Sequence, residues 1–236
     1  MVPNLPAGIV GIRRGCLTAA AGELEILVRG EAGHGARPHQ SVDAIWMAAK
    51  VVTELQQAIS RRLDALQPVV VSFGKVEGGR AFNVIADQVR MLGTVRCLDL
   101  DQHAMLPGWI EDTVQAICAG CGGSAEVRYR CIAPPVDNDV ALTNLLERCA
   151  IERLGRDQVV PVEQPSLGAE DFAEFLRDVP GMMMRLGVAG PDGCAPLHNG
   201  AFALDETALA VGIEVLAATL LALSLIHISE PTRLLA

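Results

Sequence analysis

Positive charge and aromatic side chains are both scarce in this sequence. Nineteen basic residues stand against 28 acidic ones in 236, and the formal net charge is -9. A chain this acidic has no basic surface large enough to neutralise a phosphate backbone, so we expect no nucleic-acid partner. Aromatic residues make up 3% of the chain, whereas hydrophobic residues make up 50%. Such small aliphatic side chains are typical of layered α/β proteins with a sizeable core.

A basic stretch followed by a long apolar run is also lacking near Met1. The seven cysteines are an odd number, which indicates a reduced, cytoplasmic protein. Residues 208–228 are long and apolar enough to span a bilayer, but Glu214 lies inside them. We therefore expect a buried C-terminal helix and no membrane partner; a membrane-anchored protein is the weaker alternative.

Alternating and helical patterns follow one another between residues 20 and 134 in the order β-α-β-β-α-β. This order is typical of the split βαβ or ferredoxin-like arrangement. Ser41 is the expected N-cap of the first helix. Strands are predicted at 23–29, 68–76, 88–96 and 125–132, and helices at 41–62 and 101–118.

A second group of elements follows Pro134 and Pro135, because two adjacent prolines cannot continue a β ladder. Helices are expected at 139–154, from Gly168 onward and at 205–223, with a buried strand at 180–188. Their apolar faces need a partner sheet, and residues 1–19 are too short to supply one. We therefore expect part of this second domain to be missing from the chain.

The segment GHGARPH, residues 33–39, holds two of the five histidines. Its glycines allow a sharp turn, so that His34 projects from the end of a strand. The alternative is a histidine that only caps a turn. Asn83 lies in a connection between two strands and Arg96 ends the second of them. An imidazole, an amide and a guanidinium together suit a carboxylate or a developing oxyanion.

Five segments carry a family resemblance: GHGARPHQSVDAI, GGRAFNVIAD, GTVR, SLGAEDFAEFLRDVPG and LHNGAFALDE. In this order and spacing they resemble the zinc-dependent aminoacylase and carboxypeptidase family of amidohydrolases. The branch of hippurate hydrolase and indole-acetyl-amino-acid hydrolase is the most similar. The resemblance covers residues 23 to about 222 and implies a metal-dependent enzyme that hydrolyses the amide bond of N-acyl amino acids or related small amides and peptides.

The same resemblance implies a domain arrangement. A ferredoxin-like lid and dimerisation domain, residues 20–134, would be inserted in an incomplete α/β metallo-hydrolase catalytic domain made of residues 1–19 and 135–224. His34 would reach across a homodimer to polarise the scissile carbonyl in the neighbouring subunit. Asn83 and Arg96 are the expected substrate-binding residues. Resemblance ends before residues 225–236, which we interpret as a non-family tail.

Two divalent metal ions, zinc, manganese or cobalt, are also implied by the resemblance. His198 in the segment LHNGAF matches the family's last metal ligand. One imidazole cannot hold a catalytic metal, which needs about three protein ligands and an open position. The family's other ligands and its general-base glutamate have no counterpart in these residues. We therefore expect an N-terminally truncated enzyme that supplies at most one metal ligand and is inactive alone.

A second hypothesis is a non-catalytic module of ferredoxin-like fold that binds a small ligand or mediates dimerisation. The segments after residue 135 distinguish the two, because such a module has no need of GAEDF and LHN in amidohydrolase order. Cys118 and Cys121, in CAGC, have the spacing of a metal or redox site. No second cysteine pair matches them, so the turn at the end of a helix is the favoured interpretation.

Overall fold

The computed structural model of the protein describes residues 1–229. Its α-helices are α1 (Ala44–Arg62), α2 (Leu100–Ala119), α3 (Val140–Leu154) and α4 (Thr207–Ser229). Its strands are β1 (Val2–Pro6), β2 (Val10–Ile12), β3 (Gly15–Thr18), β4 (Ala20–Arg29), β5 (Gly33–His34), β6 (Val69–Gly78), β7 (Val84–Ile85), β8 (Gln88–Cys97), β9 (Ser124–Ala133), β10 (Val136–Asn138), β11 (Val159–Pro161) and β12 (Arg185–Ala189).

Backbone contacts divide the chain into two compact units. The central unit comprises Thr18–Pro135 and Ser166–Glu174, and the terminal unit comprises Met1–Leu17, Val136–Pro165 and the residues from Phe175 onward. Residues 166–174 thus group with the central unit, although we expected them to belong to the second part of the catalytic domain, residues 135–224. The amide N–H of Ala19 donates to the carbonyl oxygen of Ser166 at 2.8 Å, which ties this segment to the start of β4.

The central unit is built on an antiparallel four-stranded sheet in the order β6-β8-β4-β9. Along the chain its elements run β-α-β-β-α-β, as the alternating patterns predicted. One sheet face is apolar, because Leu24, Ile26 and Val28 alternate along β4 and are all fully buried. Helices α1 and α2 contribute to the same core cluster through residues such as Met47 and Leu106.

Helix α1 begins two residues later than a Ser41 cap would require. Asp43 is the N-cap, and its carboxylate accepts the backbone N–H groups of Ile45 and Trp46. The Ser41 hydroxyl instead donates to the carbonyl oxygen of Pro38, at 3.1 Å. The predicted cap is therefore wrong, because Ser41 belongs to the preceding turn.

Tyr129 on β9 lies flat against Gly22 on β4. A Cβ atom at Gly22 would lie 2.2 Å from the Tyr129 hydroxyl oxygen. That hydroxyl shares a 3.1 Å hydrogen bond with Nε2 of His103. Burial raises the pKa of the Tyr129 hydroxyl to about 12, so the group is protonated at neutral pH. The ring therefore occupies space that only a glycine leaves open.

The terminal unit contains a four-stranded sheet in the order β1-β12-β2-β11. Strand β12 is parallel to β1 and antiparallel to β2, and β11 is parallel to β2. The first twelve residues therefore provide two of the four strands of this sheet, although we expected residues 1–19 to be too short to supply a partner sheet; β11 and β12 complete it. Val10, Leu146 and Val188 belong to the core cluster of this unit.

The strand predicted at 180–188 is shorter than expected and begins at Arg185. Asn138, which is buried, holds the preceding segment instead. Its side-chain amide donates to the carbonyl oxygens of Arg13 and Met183, at 2.8 and 2.9 Å, and accepts the N–H of Met183 at 2.8 Å. These side-chain bonds replace the ladder that a strand would have made.

Helix α4 is exposed over most of its surface. Its span Thr207–Leu225 has a mean hydropathy of 2.2, but only 17% of it is buried. Leu220, Leu221 and Leu225 are each 66% exposed, whereas Val215 packs into the core. The expectation of a buried helix was wrong, because α4 packs against α3 and β12 while most of its described residues remain exposed.

By length and composition alone this helix could cross a membrane, which for a single helix is weak evidence. The absence of a membrane partner therefore stays a prediction. Residues 230–236 of the proposed non-family tail lie outside the described residues.

Gly22→Ala should destabilise the central unit, because the new methyl group overlaps the Tyr129 ring. Overpacking of this kind lowers the free energy of unfolding by about 1–3 kcal/mol. Urea denaturation followed by the fluorescence of Trp46 and Trp109 measures it. Gly74→Ala is the matched control, because no heavy atom lies within 4 Å of a Cβ there. Equal stability of the two variants would contradict the assigned Tyr129 packing.

Candidate functional site

His34 and Asn83 are brought together by a two-residue antiparallel ladder. Strand β5 pairs with β7, which places His34 opposite Val84. The N–H of Gly35 donates to the carbonyl oxygen of Asn83 at 2.8 Å. The ladder lies at the end of the central sheet where β4 finishes and β8 begins, since Arg29 pairs with Gln88 there. We call residues 30–43, which follow β4, the His34 loop.

Glycine at position 35 allows the two segments to approach so closely. A Cβ atom there would lie 2.9 Å from the carbonyl oxygen of Asn83 and 3.1 Å from its carbonyl carbon. Both are backbone atoms of a paired segment and cannot rotate away. The glycine of GHG that follows His34 is therefore required by the approach of Asn83.

The backbone of Ala36 determines which nitrogen of His34 carries the proton. Its N–H donates to His34 Nδ1 at 3.1 Å. A neutral imidazole has one acceptor nitrogen and one N–H, so the proton of neutral His34 resides on Nε2. The side chain is exposed and so presents an N–H donor. Sequence reasoning missed this contribution, because a backbone amide leaves no residue-type signal.

Asn83 occupies the tip of a turn. The N–H of Val84 donates to the carbonyl oxygen of Ala81 at 3.3 Å, which makes Phe82 and Asn83 the central residues. Both side chains are exposed. The amide of Asn83 can donate or accept hydrogen bonds, so this edge of the central unit combines an imidazole N–H with an amide.

Arg96 lies at the opposite end of the sheet. It pairs with Ala21, eight residues along β8 from Gln88, which is about 26 Å at about 3.3 Å per residue. Its Nη1 atom is buried without a hydrogen-bond partner in the described part of the chain. Within one chain the structure therefore brings together His34 and Asn83 but not Arg96. The role of each in binding or catalysis stays a prediction.

His198 belongs to the terminal unit and has an unusual backbone. Its φ of 66° makes it the one non-glycine residue with a positive φ among residues 1–229. A left-handed conformation is sterically unfavourable for a residue with a Cβ atom, although histidine tolerates it better than most. The side chain is exposed. Backbone strain of this kind is found most often at binding and catalytic sites.

The described residues alone do not fit a pair of catalytic metal ions. No group of three or more histidine, cysteine, aspartate or glutamate side chains among them could hold a metal. One exposed imidazole falls short of the roughly three protein ligands that a catalytic zinc requires.

The chain is similar to hydrolases over most of its length. The model of the family described as peptidase family M20/M25/M40 matches residues 3–222. A Synechocystis sp. protein named "probable hydrolase" is 52% identical over 216 residues, and N-acetylcysteine deacetylase of Bacillus subtilis is 37% identical over 215. Each alignment covers 91% of this chain and 55% of the relative. The chain thus spans about half the length of these curated relatives.

A solved structure agrees with the sequence relatives. The crystal structure of a dinuclear metal-binding peptidase of the M20 family from Bacillus subtilis matches with a TM-score of 0.77 and 32% sequence identity. The match covers 94% of this chain and 55% of that chain.

Gly35→Ala should separate the His34 loop from the Asn83 turn, because its methyl group meets the Asn83 backbone. The bond from the amide of residue 35 to Asn83 would be lost, and hydrogen exchange at that amide should be faster by about tenfold. Amide exchange followed by NMR measures this. Gly108→Ala, with no atom within 4 Å of its Cβ, should leave exchange at residue 35 unchanged. An unchanged rate in Gly35→Ala would contradict the close approach.

Proposed function

The chain belongs to peptidase family M20/M25/M40, and we propose that it is part of a metal-dependent amidohydrolase. The amidohydrolase family predicted from the five segments is confirmed by this match. The proposed substrates are N-acyl amino acids or related small peptides. The names of two relatives support this class: N-acetylcysteine deacetylase of Bacillus subtilis and N-acetyldiaminopimelate deacetylase of Enterococcus faecalis.

The hydrogen bond from the Ala36 N–H to Nδ1 of the exposed His34 is the observation that carries the proposal. Hydrolysis of an amide builds negative charge on the carbonyl oxygen, and a fixed N–H donor aimed at that oxygen stabilises the transition state. The bond from Ala36 to Nδ1 leaves neutral His34 with its proton on the outer nitrogen. His34 would therefore act as a hydrogen-bond donor and not as a general base. The Asn83 amide beside it would hold the same substrate.

A substrate that contacts both His34 and Arg96 must lie between two chains. The two residues lie at opposite ends of a sheet, about 26 Å apart along the strand, which exceeds the reach of an N-acyl amino acid. In a two-fold dimer, the His34 edge of one chain would meet the Arg96 end of the other, and symmetry would generate the site twice. The buried, unpartnered Nη1 of Arg96 supports an anionic partner such as a substrate carboxylate.

The edge of the central sheet at β6 is the proposed dimer surface. Strand β6 is at the end of the sheet order, so the backbone groups on its outer side have no strand partner within the described sheet. Val76 on this strand is 54% exposed, and with Ile45, Ala49 and Val52 of α1 it lines an apolar groove of about 270 Å³. An exposed apolar edge of this kind is a template for pairing with a second chain.

The remaining assignments follow from the family. The central unit would be the lid and dimerisation domain, and the terminal unit would belong to the catalytic domain. His198 would be one ligand of a site for two divalent ions, zinc, manganese or cobalt, and its strained backbone supports a functional role. A cytoplasmic location is proposed as well. The alternative of a non-catalytic ferredoxin-like module is not favoured, because the family match extends through the terminal unit to residue 222.

The 236-residue chain should show no hydrolysis by itself, since its described residues do not assemble a metal site. Purified protein would be assayed with zinc, manganese or cobalt on N-acetyl and N-benzoyl amino acids. We expect no turnover above a chelator-treated control. Metal-dependent turnover that a His198→Ala variant abolishes would contradict the proposed inactivity.

Mixing two inactive variants tests whether His34 acts across the dimer. The test uses a longer polypeptide that carries the remaining metal ligands. His34→Ala and His198→Ala should each lower kcat by about 100-fold or more. Exchange of subunits between the two produces heterodimers with one intact site each, which should restore about a quarter of the wild-type activity. If His34 acts within its own subunit, the mixture stays inactive.

The same mixture tests the dimer surface. Val76→Lys in both chains should abolish the restored activity, because it places a charge in the apolar groove. Leu66→Lys is the matched control, since Leu66 is 89% exposed in the loop after α1 and lies outside the groove. Sedimentation velocity should show monomers for Val76→Lys only. Dimers in Val76→Lys would exclude the β6 edge as the contact.

A further inference from the structure

The CAGC segment, residues 118–121, forms the turn in which α2 ends. The N–H groups of Cys121 and Gly123 both donate to the carbonyl oxygen of Cys118, each at 3.0 Å. A turn closed by an i to i+3 bond holds its outer Cα atoms within about 7 Å. Disulfides join cysteines whose Cα atoms are about 4.4–6.8 Å apart. The backbone therefore places Cys118 and Cys121 at a separation that a disulfide can bridge.

Both cysteines contact the same core cluster. Cys118 is fully buried in the core cluster beneath the central sheet, and Cys121 is half-buried and packs against that cluster. Burial raises the pKa of the Cys118 thiol to about 11, and the neighbouring Cys121 contributes to the shift. Both are free thiols in this structure.

The other two cysteines of the central unit are too far apart to pair with each other. Cys97 on β8 pairs with Ala20, and Cys131 on β9 pairs with Gly22, so β4 lies between them. Two strand spacings separate the pair by about 9.6 Å, which exceeds the reach of a disulfide. Cys118 and Cys121, in contrast, are held together by a single backbone turn.

The turn is also in contact with the base of the His34 loop. A Cβ atom at Gly123 would lie 2.5 Å from Met47 Cε and 2.6 Å from the carbonyl oxygen of Arg29. One at Gly122, where φ is +85°, would lie 3.9 Å from Val42. Arg29 immediately precedes the His34 loop, and Val42 lies near the end of that loop. The turn therefore lies next to both ends of this loop.

We propose that Cys118 and Cys121 form a reversible disulfide on exposure to a small-molecule disulfide such as oxidised glutathione. Cys121, the more accessible thiol, attacks as its thiolate; the S–S bond of the oxidant breaks and one of its sulfurs leaves as a thiolate. Cys118 then loses its proton and attacks the Cys121 sulfur, which expels the second thiolate. Two protein thiols are oxidised to one disulfide, and the oxidant is reduced to two thiols.

A single proteolytic fragment reports on the bridge. Cleavage after Glu111 and Glu126 yields residues 112–126, in which Cys118 and Cys121 are the only cysteines. The purified 236-residue chain would be treated with oxidised glutathione, alkylated with N-ethylmaleimide in denaturant and cleaved. The mass of the fragment would then be measured by mass spectrometry. We expect a fragment that carries no alkyl groups and has a mass two hydrogens below that of its dithiol form. Treatment with dithiothreitol before alkylation should restore both labels. Two labels after oxidation, or two stable glutathione adducts, would overturn the proposal.

Two variants separate this pair from the other cysteines. The Cys97→Ser variant should still form the Cys118–Cys121 bridge. If this variant forms no bridge, Cys97 is the true partner and the assignment is refuted. Cys121→Ser, at a half-buried position, should leave Cys118 fully alkylated after oxidation.

Hydrogen exchange at the amides of residues 119–123 should be slower in the oxidised chain. An unchanged rate would refute the expectation that the bridge makes this turn more rigid. These outcomes do not depend on hydrolytic activity.

Discussion

The contact between the backbones of Gly35 and Asn83 is the constraint on which the candidate site depends. It closes the short ladder of β5 and β7 and thereby places an imidazole beside an amide that lies far away in the chain. The same loop returns the Ala36 N–H to His34 Nδ1, so the outer nitrogen of the neutral ring carries the proton. A donor whose tautomer is set by the backbone needs no reorganisation when charge develops on a substrate.

The length of the central sheet then determines how the site can be assembled. His34 and Arg96 lie at its two ends, because β8 runs for ten residues between the Asn83 turn and Cys97. One small substrate cannot span that distance, so shared use of both residues requires a second chain. In the terminal unit, His198 adds one imidazole on a strained backbone, and the described residues form no group of three or more potential metal ligands. The proposed enzyme is therefore built from pieces that each remain incomplete alone.

Much of the central unit could be predicted from local patterns. Alternation along β4 and helical spacing along α1 reflect which face of each element is buried, and both are visible in a short window of sequence. Two of the errors arose where a distant partner decided the outcome: Asn138 holds the segment before β12, and residues 1–12 pair with strands more than a hundred residues away. The error at Ser41 is local, because its hydroxyl bonds to Pro38 in the preceding turn instead of capping α1.

By itself, the sequence determined the family, through five segments in register, and the order of elements, because periodicity is a local property of the chain. The tertiary structure alone decided that His34 and Asn83 meet while Arg96 lies apart, that Ala36 sets the tautomer of His34, and that most of α4 is exposed. These outcomes depend on strand pairing and on the packing neighbours of each surface. Neither is encoded in the spacing of residue types, because the same pattern of apolar positions is compatible with several registers and several neighbours.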